Sequence, residues 1–310
     1  MEIVGAIDNA PEKSGKDLGS VSGVNSLRRR RVFSTANELL EQEEPDLIIH
    51  AAVSRFRAAA AQLEPFVKRG ISVVSSCEEM IFPHLSEPAL ALRFHKLCRH
   101  TGARAVGTGV NPGFVMDVLP IVLSGVCHSV REIHVQRVVN ASTRREPLQR
   151  KIGSGMPPRE FLRLFKAGRA GHAGLKESLA LLAHSQGWRP TQIIETGAPV
   201  VADRNIQTAY FNVKRGQTCG LHQRAETRLD NGLRASLDLQ MYLDADNPHD
   251  AIQIVGEPNL DLVLKGGVAG DHATVAALVN TAERIVRCVP GLLYLTDLPI
   301  SAPTRWAALK

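Results

Sequence analysis

Several places in this chain combine residue types that could do chemistry. Asp8 closes the apolar run MEIVGAID. A carboxylate just after a strand can accept hydrogen bonds from the ribose hydroxyls of an adenine dinucleotide and repel a 2′-phosphate; an Asp there also serves as an ordinary cap or turn residue. The stretch Arg104–Pro120 (RAVGTGVNPGFVMDVLP) runs from a short strand through Gly109, Pro112 and Gly113 into an apolar helix expected to start near Phe114, with Asp117 in its first turn. Its glycines are spaced wrongly for a pyrophosphate loop, the third falling one residue late, but they let backbone approach a ligand such as the nicotinamide end of a cofactor. The run RVVNASTRREPLQRKIGSG carries Arg137, Arg144, Arg145, Arg150 and Lys151. Guanidinium forks suit carboxylates, while a run of like charge can equally be a solvated face. Finally, Gly168–Ser178 (GRAGHAGLKES) leads glycines into a helix N-terminus, where amides favour an anion, and carries His172, which is either structural or a proton-transfer group.

The elements that must position these groups read first as strand–helix alternation. Asp46–Ala52 and Ile71–Ser75 are apolar strands of the kind buried on both faces of a parallel sheet. Helices are expected from a Thr35–Glu38 capping box, at Ala58–Lys68, and at Pro88–Thr101 with Ser86 as its cap. Parallel strands need helical crossovers, so this half predicts an α/β, Rossmann-like doubly wound parallel sheet. Ser54, Ser75, Ser76 and Thr108 fall just after strand C-terminal ends, the edge where such sheets bind ligands.

From Val130 the period changes to alternation. Arg131–Asn140 places Ile133, Val135 and Val138 on one face. Further strands are expected at Gln192–Val201, Ala209–Lys214, Glu226–Leu229, Arg234–Tyr242 and Ala251–Val255, with a turn at Asp230-Asn-Gly232 and helices at Pro158–Lys166 and Leu175–Gly187. This is an antiparallel α+β second domain. The division predicted is residues 1–125 for dinucleotide binding and 126–267 for substrate binding and oligomerisation. Residues 268–310, with the helix His272–Cys288, return to the first domain.

Composition narrows the rest. With 310 residues and a net charge of +6, the chain is long enough for two domains and carries an excess suited to an acidic partner. The densest basic run, Arg28–Arg31, has no interleaved aromatics, so nucleic acid is not expected. There is no span-length apolar run and no secretory signal, which predicts a soluble, cytoplasmic protein. The five cysteines are scattered, predicting free thiols and no metal site.

One expected part is missing. In a dinucleotide-binding sheet, about 20 residues holding strand–GxGxxG–helix precede the ribose-binding acid; only seven residues precede Asp8. The first strand and phosphate loop are therefore expected to be absent, leaving Ile3–Asp8 and Asp46–Ala52 with unpaired edges. A start codon assigned to an internal Met would explain this, and the chain as written would not be a competent dehydrogenase alone. The alternative is a shortened, catalytically inactive dinucleotide-fold protein that binds a metabolite and regulates a partner.

The segments IVGAIDNAPEKSGKDLG, SSCEEM, GTGVNPGFVMDVL, RVVNASTRREPLQRKIG, GHAGLKES and GGVAGDHATVAALVN together resemble the 2,4-diaminopentanoate dehydrogenase-like proteins, relatives of dihydrodipicolinate reductase. The resemblance implies an enzyme that uses NAD, with NADP as the alternative cofactor, and acts on a CH–NH2 donor, with oxidative deamination of a short diamino acid and assembly as a homo-oligomer. It places the cofactor along Asp8, Ala51, Ser54, Ser75, Thr108, Gly109 and Asn111. The substrate carboxylate would meet Arg144, Arg145, Lys151 and Gly171. Dihydrodipicolinate reductases carry a His-His and Lys signature where this chain has Arg137-Val-Val-Asn140 and Ser142-Thr-Arg-Arg145. The proton-transfer group is thus unassigned, with Lys151 and His172 as candidates.

Overall fold

Apolar runs separated by helical crossovers are buried by pairing in parallel, and the first third of the chain does so. In the computed structural model, which describes residues 1–229, 232–300 and 302–303, it runs β1 (Ala6–Ile7), α1 (Leu18–Ser22), β2 (Val32–Phe33), α2 (Ala36–Gln42), β3 (Leu47–His50), α3 (Phe56–Val67), β4 (Ser72–Ser75), α4 (Pro88–Thr101) and β5 (Arg104–Gly107). Then follow α5 (Val118–Ser124), β6 (Ser129–Asn140), α6 (Glu146–Lys151), α7 (Pro158–Lys166), α8 (Leu175–Ser185), β7 (Ile194–Val201), β8 (Ile206–Gln207) and β9 (Asn212–Val213). The long strands β10 (Thr218–Arg228), β11 (Arg234–Tyr242), β12 (His249–Glu257) and β13 (Leu260–Lys265) lead to α9 (Gly270–Ile285) and β14 (Gly291–Leu293).

The first sheet is parallel, in the order β14-β5-β4-β3. Strands β1 and β2 form a separate parallel pair. Among the described residues, β1 and β3 therefore each carry an edge with no partner strand. One face of the four-stranded sheet is covered by α3 and α4, where Phe56, Leu63 and Phe94 pack on Val73 and Ala105. The other face is covered by α9, whose Leu278, Ala282 and Ile285 meet Val74, Val106 and Leu293. Truncating one such buried Leu or Ile to Ala costs ~2–5 kcal/mol.

The second sheet has the order β13-β12-β6-β11-β10-β7. It is mixed: β6 and β11 run parallel and the other pairs antiparallel. Ile133, Val135, Leu237 and Leu239 face Leu175, Leu179 and Leu182 of α8 in its core. Val138 does not join Ile133 and Val135 on that face. By strand alternation the position belongs to Arg137, only 2% exposed, which donates from Nη1 to both oxygens of Asp250 at 2.8 Å. A buried charge is tolerated when so paired, and a strand's hydrophobic pattern cannot announce it.

Local chemistry explains the other departures from expectation. Thr35 caps α2 by accepting from the Glu38 amide, but Glu38 returns its carboxylate to the Ser34 amide and not to Thr35. Helix α4 is capped by Glu87 without a side-chain bond, in place of Ser86, because Pro88 at its first position presets the backbone. Helix α5 begins at Val118, later than expected, since Asp117 is its N-cap and also accepts from the Gly113 amide, holding the preceding residues as turns. The basic loop contains α6, with Glu146 in its first turn and Arg150 and Lys151 in its last, charges matched to the helix dipole. Strand β13 had no expected counterpart. Asp230 and Asn231 of the expected hairpin turn lie outside the described residues.

Candidate active site

The C-terminal edge of the first sheet is stitched by backbone: the Thr108 amide donates to the Ser75 carbonyl at 2.8 Å and the Ser76 amide to the His50 carbonyl at 2.9 Å. Ser75 is fully buried and its hydroxyl is engaged inside, accepting from the Cys77 amide at 3.0 Å and lying 2.7 Å from His50 Nδ1. Since His50 Nε2 faces the Gln62 carbonyl oxygen at 2.9 Å, it carries the hydrogen, and Ser75 donates to Nδ1. Burial keeps His50 below its ordinary pKa and pushes the Cys77 thiol up to about 12, so neither is a ready base or nucleophile. Ala51 is exposed beside them, and Ser54 is partly buried with its carbonyl accepting from the Glu79 amide. Asp8 stands on the separate β1–β2 pair. Its carboxylate accepts from Lys13 Nζ at 2.6 Å and the Ala10 amide at 3.0 Å, and Lys13 first of all holds its pKa down.

Past β5 the chain folds into a tight loop. A Cβ on Gly113, whose φ is +121°, would stand 2.3 Å from the Gly109 nitrogen, so only glycine fits. The loop hangs on Asp117, which has no exposed surface and accepts from Gly113, Val118 and the Ser178 hydroxyl. Burial raises the pKa of Asp117, and these three donors oppose the rise. Thr108 is 3.4 Å from the Thr281 hydroxyl of α9. Within the loop, both amide atoms of the Asn111 side chain are shielded and have no partner in the protein. Shielded polar atoms are nearly always satisfied, so an orphaned amide at a sheet's ligand edge fits a bound group that both donates and accepts.

The Gly168–Ser178 loop meets this one. His172 Nε2 is 2.9 Å from the Asn111 carbonyl oxygen. Gln223, 2% exposed, clamps the His172 peptide from both sides, accepting from its amide and donating to its carbonyl at 2.8 Å each. A Cβ on Gly171, at φ +102°, would strike the Phe165 ring. The Lys151 carbonyl accepts from the Gly171 amide at 3.5 Å, and Lys151 Nζ faces Glu78 at 3.9 Å. Burial above all, then the charges of Lys151, Arg137 and Arg144, depress His172 to about 3. In the first turn of α8, Glu177 is pushed up to about 7 by burial and then by the charges of Glu79 and Glu195.

The structure thus brings Asn111, Lys151, Gly171 and His172 together. Arg144 and Arg145 instead reach the N-terminal end of α9, where Arg144 grips Asp271 through Nε at 3.1 Å and Nη2 at 2.9 Å and Arg145 adds a longer contact at 3.3 Å. Beside them Arg137, Asn140, Asp250 and Gly267 line a cavity of about 290 Å³. Sequence reasoning missed Glu78, Asp271 and Gln223 as site residues. Glu78 had a signal, an acid just past a strand end; the other two act through pairings distant in sequence. Among the described residues, no group of three or more His, Cys, Asp or Glu could hold a metal ion, and no helix is long and apolar enough to cross a membrane.

A four-stranded parallel sheet covered by helices on both faces, followed by a mixed six-stranded second sheet, defines a protein of Rossmann-like architecture with a second α+β domain. Residues 114–307 match the family of the 2,4-diaminopentanoate dehydrogenase C-terminal domain, and the chain belongs to that family. It is 29% identical over 311 residues to the 2,4-diaminopentanoate dehydrogenase of Acetoanaerobium sticklandii, covering 97% of this chain and 87% of that one. It is 22% identical to an amine dehydrogenase of Streptomyces virginiae, covering 97% and 90%. The solved structure of an amine dehydrogenase from Mycobacterium smegmatis superposes with a TM-score of 0.87 at 25% identity, covering 97% of this chain and 90% of that chain.

Proposed function

We propose that this protein is an NAD(P)-dependent dehydrogenase that oxidises a CH–NH2 carbon of a short amino or diamino acid, releasing ketone and ammonia. The observation that carries the reading is the convergence, at one sheet edge, of the orphaned Asn111 amide with the His172 loop, Lys151 and Glu78. The family and the named activities of its relatives support the same class. Ala51, Ser54, Thr108, Gly109 and Asn111 would hold the cofactor, with Asp8 toward its ribose; Ser75 would support the edge from inside, since its hydroxyl is engaged. When bound, a nicotinamide accepts hydride from the substrate carbon.

The protein's own groups supply the rest. Lys151, 39% exposed, offers a cation to the substrate carboxylate, with Arg144 in reserve behind its Asp271 contact. Glu78 offers a carboxylate to the substrate ammonium on the opposite side. Two salt-bridge partners facing each other at a loose 3.9 Å separate readily around a zwitterion, because a solvent-screened pair holds itself together by only ~0–1 kcal/mol. The partner is a small molecule, and self-association as a homo-oligomer in the cytoplasm is part of the proposal. Incubation with NAD or NADP and a panel of short amines, amino acids and diamino acids, following nicotinamide reduction and ammonia release, tests it. Reduction with a carboxylated amine supports the reading; a panel with none active overturns it.

A further inference from the structure

His172 has one ring nitrogen whose role is fixed by its partner. Nε2 lies 2.9 Å from the Asn111 carbonyl oxygen, and a carbonyl oxygen only accepts. The hydrogen therefore sits on Nε2. The surroundings disfavour a second one: burial penalises the charged ring, which is partly buried, and the charges of Lys151, Arg137 and Arg144 act in the same direction. Nδ1 is left with a lone pair, and among the described residues no hydrogen bond joins it. The ring is oriented by its Nε2 bond to Asn111, which a flip of the imidazole would break, while Gln223, itself anchored on Glu195 at 2.9 Å, holds the His172 peptide at its amide and its carbonyl. An enzyme that wanted a proton shuttle here would place an anion beside the imidazole. This site does the reverse.

We propose that His172 is the substrate-orienting acceptor of the site, a neutral imidazole of fixed tautomer whose Nδ1 takes a hydrogen bond from the amino group to be oxidised and never its proton. The assignment rests on the amine-oxidising reading above. In that reaction the C–H bond breaks, its electron pair leaves as hydride to the nicotinamide, and the nitrogen lone pair forms the C=N bond. The nitrogen must be unprotonated and turned so that its lone pair lies along the breaking bond. An acceptor on one N–H achieves the turn; a protonated histidine would instead donate to that lone pair and block it. The proton lost from the incoming ammonium leaves by another route, for which Glu78 is the nearby carboxylate.

Two measurements test this. In His172→Gln the side-chain amide nitrogen can keep the donor to Asn111, while the remaining acceptor, Oε1, is shifted off the Nδ1 position. We expect kcat/KM for the amine to fall at least tenfold, mainly through KM, with the shape of the pH profile unchanged. In the wild-type protein, nitrogen-15 NMR of the imidazole should show Nδ1 unprotonated from mildly acidic to alkaline pH, and its resonance should move on saturation with α-aminoisobutyrate, an amine without the hydrogen to be removed. A ring that titrates in this range, a hydrogen on Nδ1, or His172→Gln with wild-type kcat/KM overturns the assignment. Failure of the wild type to oxidise any amine rejects the functional reading; an unmoved Nδ1 resonance under saturating α-aminoisobutyrate separately rejects the role of His172.

Discussion

The Ser178 hydroxyl donates to the Asp117 carboxylate at 2.6 Å, joining the first turn of α8 to the N-cap of α5 where neither residue has exposed surface. Through Asp117 this bond holds Gly113, and through Gly113 the loop that carries Asn111. Ser178→Ala should cost about 1–3 kcal/mol, because a buried carboxylate loses one of its three donors. The loss should be larger at the higher of two pH values than at the lower, since the donor matters most to the ionised form. Urea unfolding at both pH values checks this, and an equal loss at the two would contradict it.

Glu177 makes the opposite kind of contribution. Its folded pKa is raised from 4.5 to about 7, so between those values the native state holds a proton that the unfolded chain has released. Stability must fall as pH rises through that window. Glu177→Gln removes the titration, so the variant should gain on wild type between acid and neutral pH and hold a constant advantage above it. Thermal midpoints across that range, compared at matched ionic strength, are the measurement.

Cofactor choice should turn on Asp8 and Lys13. The wild type is expected to prefer NAD, because in the proposed cofactor site the Asp8 carboxylate would repel a 2′-phosphate, and it already neutralises Lys13. Asp8→Ala leaves Lys13 without its partner, and the ratio of kcat/KM for NADP over NAD should rise severalfold. A wild type that prefers NADP would refute this use of Asp8.

For the substrate carboxylate, the structure separates cations that look alike in sequence. Lys151→Ala should lower kcat/KM by roughly ten- to a hundredfold, the worth of a charged hydrogen bond of ~1.5–3 kcal/mol. Arg145→Ala should leave it unchanged, since that side chain is 81% exposed and is held by a 3.3 Å contact to Asp271. Kinetics with one carboxylated and one uncarboxylated amine decide the matter, and equal effects of Lys151→Ala on both would place the anchor elsewhere.

Much of this was legible because local signals and long-range packing agree. The apolar runs that became β3, β4 and β5, the Gly102 stop after α4, and the bounds of α7 all follow from pattern and cap chemistry. The loop from Gly109 to Gly113 was legible as a place of close approach, and His172 as a group worth watching. What sequence hid were pairings between distant residues: Arg137 with Asp250, Arg144 with Asp271, Gln223 with His172. A charge run looks the same whether its members face solvent, a ligand or a buried acid, so only the fold could sort Arg137, Arg144, Arg145 and Lys151 into different duties.

The unmatched edges of β1 and β3 have a consequence for what can join them. A strand edge without a partner is a template for an extended segment, and Ile7 and Ile49 beside these edges are each 40% exposed. An extended segment added at either edge, from this chain or another, would complete the backbone pairing and cover the isoleucine beside it.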